Sequence, residues 1–223
     1  MRADVSAAVD AVARGEAVVY PTETVYGLGA DALDPEAVER VFELKGRSYD
    51  KPLSLGVTDV DTALQYTSPT PTEEAFMREF LPGPVTVVVD RREMVPDVLT
   101  SGKRRVGVRV PDHEIAQELL RETGPLTATS ANISGSPSVT RLADLDDRIR
   151  DGVGAIVDGG ETPGTESTVV DPGAGVVHRR GASADEIEAW LADHACTRST
   201  STDVGYSPSN DRNDRVFTPH WSR

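Results

Sequence analysis

Eight short apolar runs, at residues 17–20, 53–57, 85–89, 106–110, 126–129, 155–157, 168–170 and 176–178, alternate with segments whose apolar residues recur at helical spacing. That alternation restricts the chain to a sheet with helices packed on it. In the first helical segment Val5, Ala8, Val9 and Val12 share a side, with Asp4 placed to cap the start and Gly15 to end the turn. A second opens at Asp34-Pro35 and turns Val38, Val41, Phe42 and Lys45 to one side, which leaves Lys45 at the helix end. Further helices are expected near 73–81, 113–122, 142–150 and 184–193. The later strands are too closely spaced for helical crossovers, so the pattern predicts an α/β fold whose sheet is mixed and partly antiparallel. One domain is expected over residues 1–195, followed by a polar tail, 196–223, expected to be disordered.

Charge narrows the function classes. The formal net charge is −14, which opposes non-specific binding to nucleic acid. There is no long apolar run and no secretory leader pattern, so a soluble cytoplasmic protein with no membrane partner is expected. Cys196 is the only cysteine, which excludes an intramolecular disulfide. Only Lys45, Lys51 and Lys103 among the 23 basic residues are lysine, and an acidic, lysine-poor surface of this kind suits concentrated salt. A halophilic archaeon is the expected source. Two of those lysines fall inside a candidate site, where surface solvation does not account for them.

Three segments carry polar groups that a packed core does not use. The strand ending at Tyr20 runs into Pro21-Thr22-Glu23-Thr24-Val25-Tyr26-Gly27-Leu28-Gly29, whose glycines permit close approach of the backbone to a ligand. Lys45, Arg47 and Lys51 supply fixed cations, and Thr129-Ser130-Ala131-Asn132 supplies small hydrogen-bonding groups. Taken singly, each has a plainer explanation as a turn, a solvated helix end or an Asx turn. Arg109 is harder to dismiss, because it interrupts the apolar strand 106–110 and needs an anion or a carboxylate beside it. Residues 159–168 read as a lid or an exposed connection. The histidines show no metal-ligand spacing, and neither a Walker loop nor a dinucleotide fingerprint is present, so phosphates would be held by side chains and scattered amides. An ATP-using enzyme is expected.

In this order and spacing, residues 21–29, 45–53 and 108–111, together with 129–132, Glu166-Ser167-Thr168 and Arg179, resemble the YrdC-like family of threonylcarbamoyl-AMP synthases. The resemblance spans nearly all of 5–193 and implies a twisted mixed sheet surrounded by helices, with a deep basic cleft. It implies synthesis of threonylcarbamoyl-AMP from L-threonine, bicarbonate and ATP, with magnesium carried on ATP and pyrophosphate released. The product would pass to a transfer complex that modifies the adenosine beside the tRNA anticodon, so this chain would bind tRNA weakly or not at all. It further implies Lys45, Arg47 and Lys51 as the catalytic cations. Arg47, Lys51, Ser130, Asn132, Ser138 and Arg179 would bind ATP, and Thr24, Arg109 and Ser167 would bind L-threonine. Replacing Arg47 or Arg109 by alanine is expected to abolish most activity and leave folding intact. Ser48, Gly56 and Arg180 depart from the family pattern, and the Arg179-Arg180 pair leaves open which guanidinium faces the nucleotide. The alternatives are a double-stranded RNA or tRNA-binding module and a carbamoyl-adenylating paralogue with another acceptor.

Overall fold

The structure, a computed structural model, describes residues 5–198. Asp4, the expected helix cap, and residues 199–223 of the expected tail lie outside the described residues. Nine strands form one sheet: β1 Val18–Tyr20, β2 Gly27–Gly29, β3 Ser54–Gly56, β4 Val85–Asp90, β5 Arg105–Arg109, β6 Leu126–Ser130, β7 Ala155–Ile156, β8 Thr168–Asp171 and β9 Val176–Arg179. Their order is β7-β1-β2-β6-β3-β5-β4-β8-β9. The pairs β1/β7, β3/β5 and β4/β8 are parallel and the others antiparallel, the mixed sheet that the short connections predict.

Around it lie α1 Ser6–Ala13, α2 Pro35–Lys45, α3 Val60–Tyr66, α4 Pro71–Phe80, α5 Asp97–Thr100, α6 Glu114–Thr123, α7 Asp147–Gly152 and α8 Ala184–Arg198. The cap signals act locally. Asp34 accepts from the Glu36 N–H with Pro35 at the first helical position, and Gly46 closes α2 in the left-handed region at φ 58°. Thr70 and Glu73 form a reciprocal capping box on α4. The segment expected as one helix over 142–150 is a 3-10 turn followed by α7, because the Asp146 side chain caps the Arg148 N–H and restarts the helix.

The pleat sorts each central strand into two faces. Val85, Val87 and Val89 of β4, Val106 and Val108 of β5 and Leu55 of β3 are fully buried beneath helices, in a core that includes Val38, Val41 and Phe42 of α2. On the opposite face α1 and α6 cover only one end, packing Val12, Leu119 and Leu120 over Val18, Tyr20 and Leu126. The rest of that face is the floor of a cleft. Gly107 lies at its centre, where a Cβ would come within 2.8 Å of Ser54 Oγ and 2.9 Å of Thr86 Cγ2. Glycine there lets the neighbouring strands' side chains close over the β5 backbone.

Candidate active site

The cleft encloses about 570 Å³, within the range of small-molecule sites. Arg47, Lys103, Arg105, Arg109 and Arg179 face it, against the carboxylates of Glu166 and Asp171. Its chemistry follows from how these charges are partnered.

Arg105 is neutralised in place: its Nη2 lies 2.5 Å from Glu73 and 3.0 Å from Asp171. Arg109 is 7% exposed and also has a carboxylate of the chain's own, donating from Nη2 to Glu23 Oε1 at 2.7 Å. Its Nη1 donates to the carbonyls of Gly83 and Val85. Burial pulls the Arg109 pKa below its ordinary value, and Glu23 opposes that pull. The anion demanded by a strand arginine is therefore supplied by Glu23, 86 residues away in sequence. Thr24 Oγ1 stands 3.4 Å from the same Nη2. Thr22 orients Thr24, exchanging a 2.9 Å hydroxyl contact with it and donating to the Val25 carbonyl at 2.6 Å.

Arg47 differs from both. Its Nε donates to the Lys51 carbonyl at 2.9 Å and its Nη2 to the Pro52 carbonyl at 3.0 Å, and it forms no ion pair among the described residues. Burial, and then the nearby Arg179 guanidinium, lower its pKa. Two guanidiniums thus face one space. Arg179 meets Glu166 Oε2 at 3.1 Å and donates to the Ser167 carbonyl and hydroxyl. Arg180 instead pairs with Asp185 and Glu188 at the start of α8, so Arg179 is the member of that pair that faces the cleft.

The remaining expected site residues divide. Thr24, Ser130 and Ser167 line the cleft with Arg47, Arg109 and Arg179. Lys51 is exposed outside the lining, and its contribution to the cleft is the carbonyl that holds Arg47. Ser138 donates to Glu166 Oε1 at 2.6 Å. Asn132 is 8% exposed and donates to the Ser136 carbonyl at 2.6 Å. Lys45, 1% exposed, lies beneath the 130–132 turn and donates to the carbonyls of Ser130 and Asn132, the latter at 2.7 Å. It braces the turn from behind.

The loop expected as a lid or a free connection is pinned. Tyr26 Oη donates to the Gly160 carbonyl at 2.7 Å, Thr162 N–H to Thr140 at 3.0 Å and Gly164 N–H to Thr24 at 2.7 Å. Glu166, which this loop delivers to the cleft, carries no sequence signal beyond its place in the Glu166-Ser167-Thr168 motif. Arg105 and Asp171 carried no distinguishing signal, since their pairing depends on strand order. Among the described residues no group of His, Cys, Asp and Glu could hold a metal ion, and no helix is long and apolar enough to cross a membrane.

The profile of the Sua5–YciO–YrdC family, described as "Telomere recombination", matches residues 10–181. The chain belongs to this family. It is 45% identical over 163 residues to a threonylcarbamoyl-AMP synthase of Pyrococcus abyssi, covering 72% of this chain and 48% of that protein. It is 38% identical over 218 residues to the Bacillus subtilis threonylcarbamoyl-AMP synthase, covering 92% and 58%. The chain thus spans about half the length of these curated relatives. The crystal structure of P. abyssi Sua5 complexed with L-threonine superposes with a TM-score of 0.77 at 39% identity, covering 91% of this chain and 62% of that one. E. coli YciO superposes at 0.71 with 30% identity, covering 78% and 87%.

In this member of the Sua5–YciO–YrdC family the buried Lys45 has a measurable signature. Burial, with Arg47 adding to it, pushes its pKa from 10.5 down to about 7. The unfolded chain therefore holds the extra proton between about pH 7 and 10.5, and stability attributable to Lys45 rises with pH across that window. Wild type should gain about 2 kcal/mol over Lys45→Met between pH 7 and pH 9, read from chemical denaturation. Parallel stability curves for the two proteins would rule this out.

Proposed function

We propose that the chain synthesises threonylcarbamoyl-AMP from L-threonine, bicarbonate and MgATP, releasing pyrophosphate. The observation that carries this reading is one cleft lined by Arg47, Arg109 and Arg179 together with Thr24. Arg47 forms no ion pair among the described residues and lies near Arg179, an arrangement suited to a polyphosphate. Arg109 and Thr24 offer a guanidinium and a hydroxyl to an amino acid. The names of the relatives and the threonine complex of P. abyssi Sua5 support the same assignment.

In this reading the amine of threonine combines with bicarbonate to give a carbamate and water. A carbamate oxygen then attacks the α-phosphorus in line, and pyrophosphate leaves with the P–O bonding pair. No protein nucleophile takes part. Arg47 and Arg179 balance the charge on the phosphates, and magnesium arrives as part of the substrate. Ser130 contacts the nucleotide, with Asn132 and Lys45 fixing its turn, Ser138 sharing Glu166 with Arg179, and Lys51 holding Arg47 through its carbonyl. Arg109, Thr24 and Ser167 position threonine, whose carboxylate replaces the long Arg109–Thr24 contact. Residues 1–195 form the catalytic unit. The product passes to a tRNA-modifying transfer complex, in the cytoplasm of a halophilic archaeon, in keeping with the net charge of −14 and the scarcity of lysine.

The test is to incubate the protein in molar potassium chloride with ATP, magnesium and bicarbonate, with and without L-threonine, and to follow threonylcarbamoyl-AMP by mass spectrometry and pyrophosphate by a coupled assay. Both products should require threonine. ATP binding with no threonine dependence would overturn the assignment of the acceptor.

A further inference from the structure

We propose that Glu166 is an internal competitor for the phosphate end of the cleft, its carboxylate holding Ser138 and Arg179 where a phosphate group of the nucleotide displaces it. The inference rests on the proposed nucleotide reading and adds a residue that sets the affinity of that end.

Both oxygens of Glu166 are engaged by groups assigned to the nucleotide. Ser138 Oγ donates to Oε1 at 2.6 Å, and Arg179 Nη1 faces Oε2 at 3.1 Å. A hydroxyl and a guanidinium recognise carboxylate and phosphate by the same chemistry, so the two anions exclude each other there.

Exposure decides which of the cleft's ion pairs a ligand can open. Glu73 and Glu23, which hold Arg105 and Arg109, are 3% and 16% exposed at the side chain, and stripping a partner from such carboxylates is heavily penalised. Arg179 and Glu166 are 47% and 44% exposed, so solvent compensates both when they part. The Glu166 backbone, by contrast, cannot withdraw. Its carbonyl accepts from Ala182 N–H at 2.9 Å, and a Cβ at Gly181 would stand 2.2 Å from that oxygen. Displacement is therefore a side-chain rotation that leaves a negative charge within reach of the bound phosphates. That charge weakens nucleotide binding and favours departure of pyrophosphate.

Glu166→Gln retains the size of the side chain and removes the charge, while Glu166→Asp keeps the charge and shortens its reach. Calorimetric titration with ATP and, separately, inorganic pyrophosphate, both in EDTA, should give a Kd about three- to five-fold lower in Glu166→Gln than in wild type. Glu166→Asp should fall between them. If wild type binds both anions and the two variants bind them equally well or more weakly, the competitor role is overturned and the nucleotide reading stands. If wild type binds neither, the nucleotide reading itself fails.

Discussion

Arg47→Ala should lower threonine-dependent turnover by about 10²- to 10³-fold, the loss that follows removal of one preorganised donor from a charge-stabilising site. The protein should remain folded, because Arg47 is held by two neutral carbonyls and, among the described residues, forms no ion pair whose breaking would strand a carboxylate. Lys51 is exposed, so water can satisfy its carbonyl once the guanidinium has gone. Arg47→Lys should recover only part of the rate: an ammonium restores charge but cannot hold two carbonyls and a phosphate in one planar fork. The checks are kcat/KM for MgATP and the thermal unfolding midpoint, measured on the same preparations. Turnover within a few fold of wild type in Arg47→Ala would remove Arg47 from the chemistry and with it the main support for a polyphosphate in the cleft.

Period-2 and period-3.6 patterns made most of the fold legible, and the exceptions have physical causes. Gly27–Gly29 reads as a ligand loop because glycine is a poor strand former; it is extended because β1 and β6 hydrogen-bond it from both sides. The short helix α3 carries a local start signal in Asp59, which caps it by accepting from Thr62 N–H at 2.6 Å, but its seven residues are too few for a clear helical period. Lys45 shows the limit for the site. Helical spacing puts it on the side of Val38, Val41 and Phe42, and it is buried with them. What spacing does not reveal is that the turn at Ser130 and Asn132 passes over its ammonium, because that contact joins positions 85 and 87 residues apart. Glu23 and Arg109 are separated in the same way, and only the strand order brings them together.

That pairing changes what Arg109→Ala should do. From sequence the substitution is expected to abolish most activity and spare the fold; in the structure it removes the one hydrogen-bond partner, among the described residues, of a carboxylate whose other oxygen, Oε2, is already buried without a hydrogen bond. The carbonyls of Gly83 and Val85 lose their donor as well. Breaking one side of such a pair costs about 3–5 kcal/mol, a large share of the roughly 5–15 kcal/mol that holds a typical domain. Arg109→Ala should therefore unfold at markedly lower denaturant, and its inactivity would say little about threonine. The informative variant is Arg109→Met combined with Glu23→Gln, which removes both charges and retains side-chain volume. It should regain the part of the lost stability that comes from stranding the Glu23 charge, since a buried pair replaced as a unit is close to neutral, while the Gly83 and Val85 carbonyls stay without their donor. Its KM for threonine should still rise by about 10- to 100-fold, the worth of a charged hydrogen bond to the ligand carboxylate, while ATP affinity stays near wild type. If the double variant recovers both stability and wild-type threonine dependence, Arg109 and Glu23 form a structural pair and the amino acid is held elsewhere in the cleft.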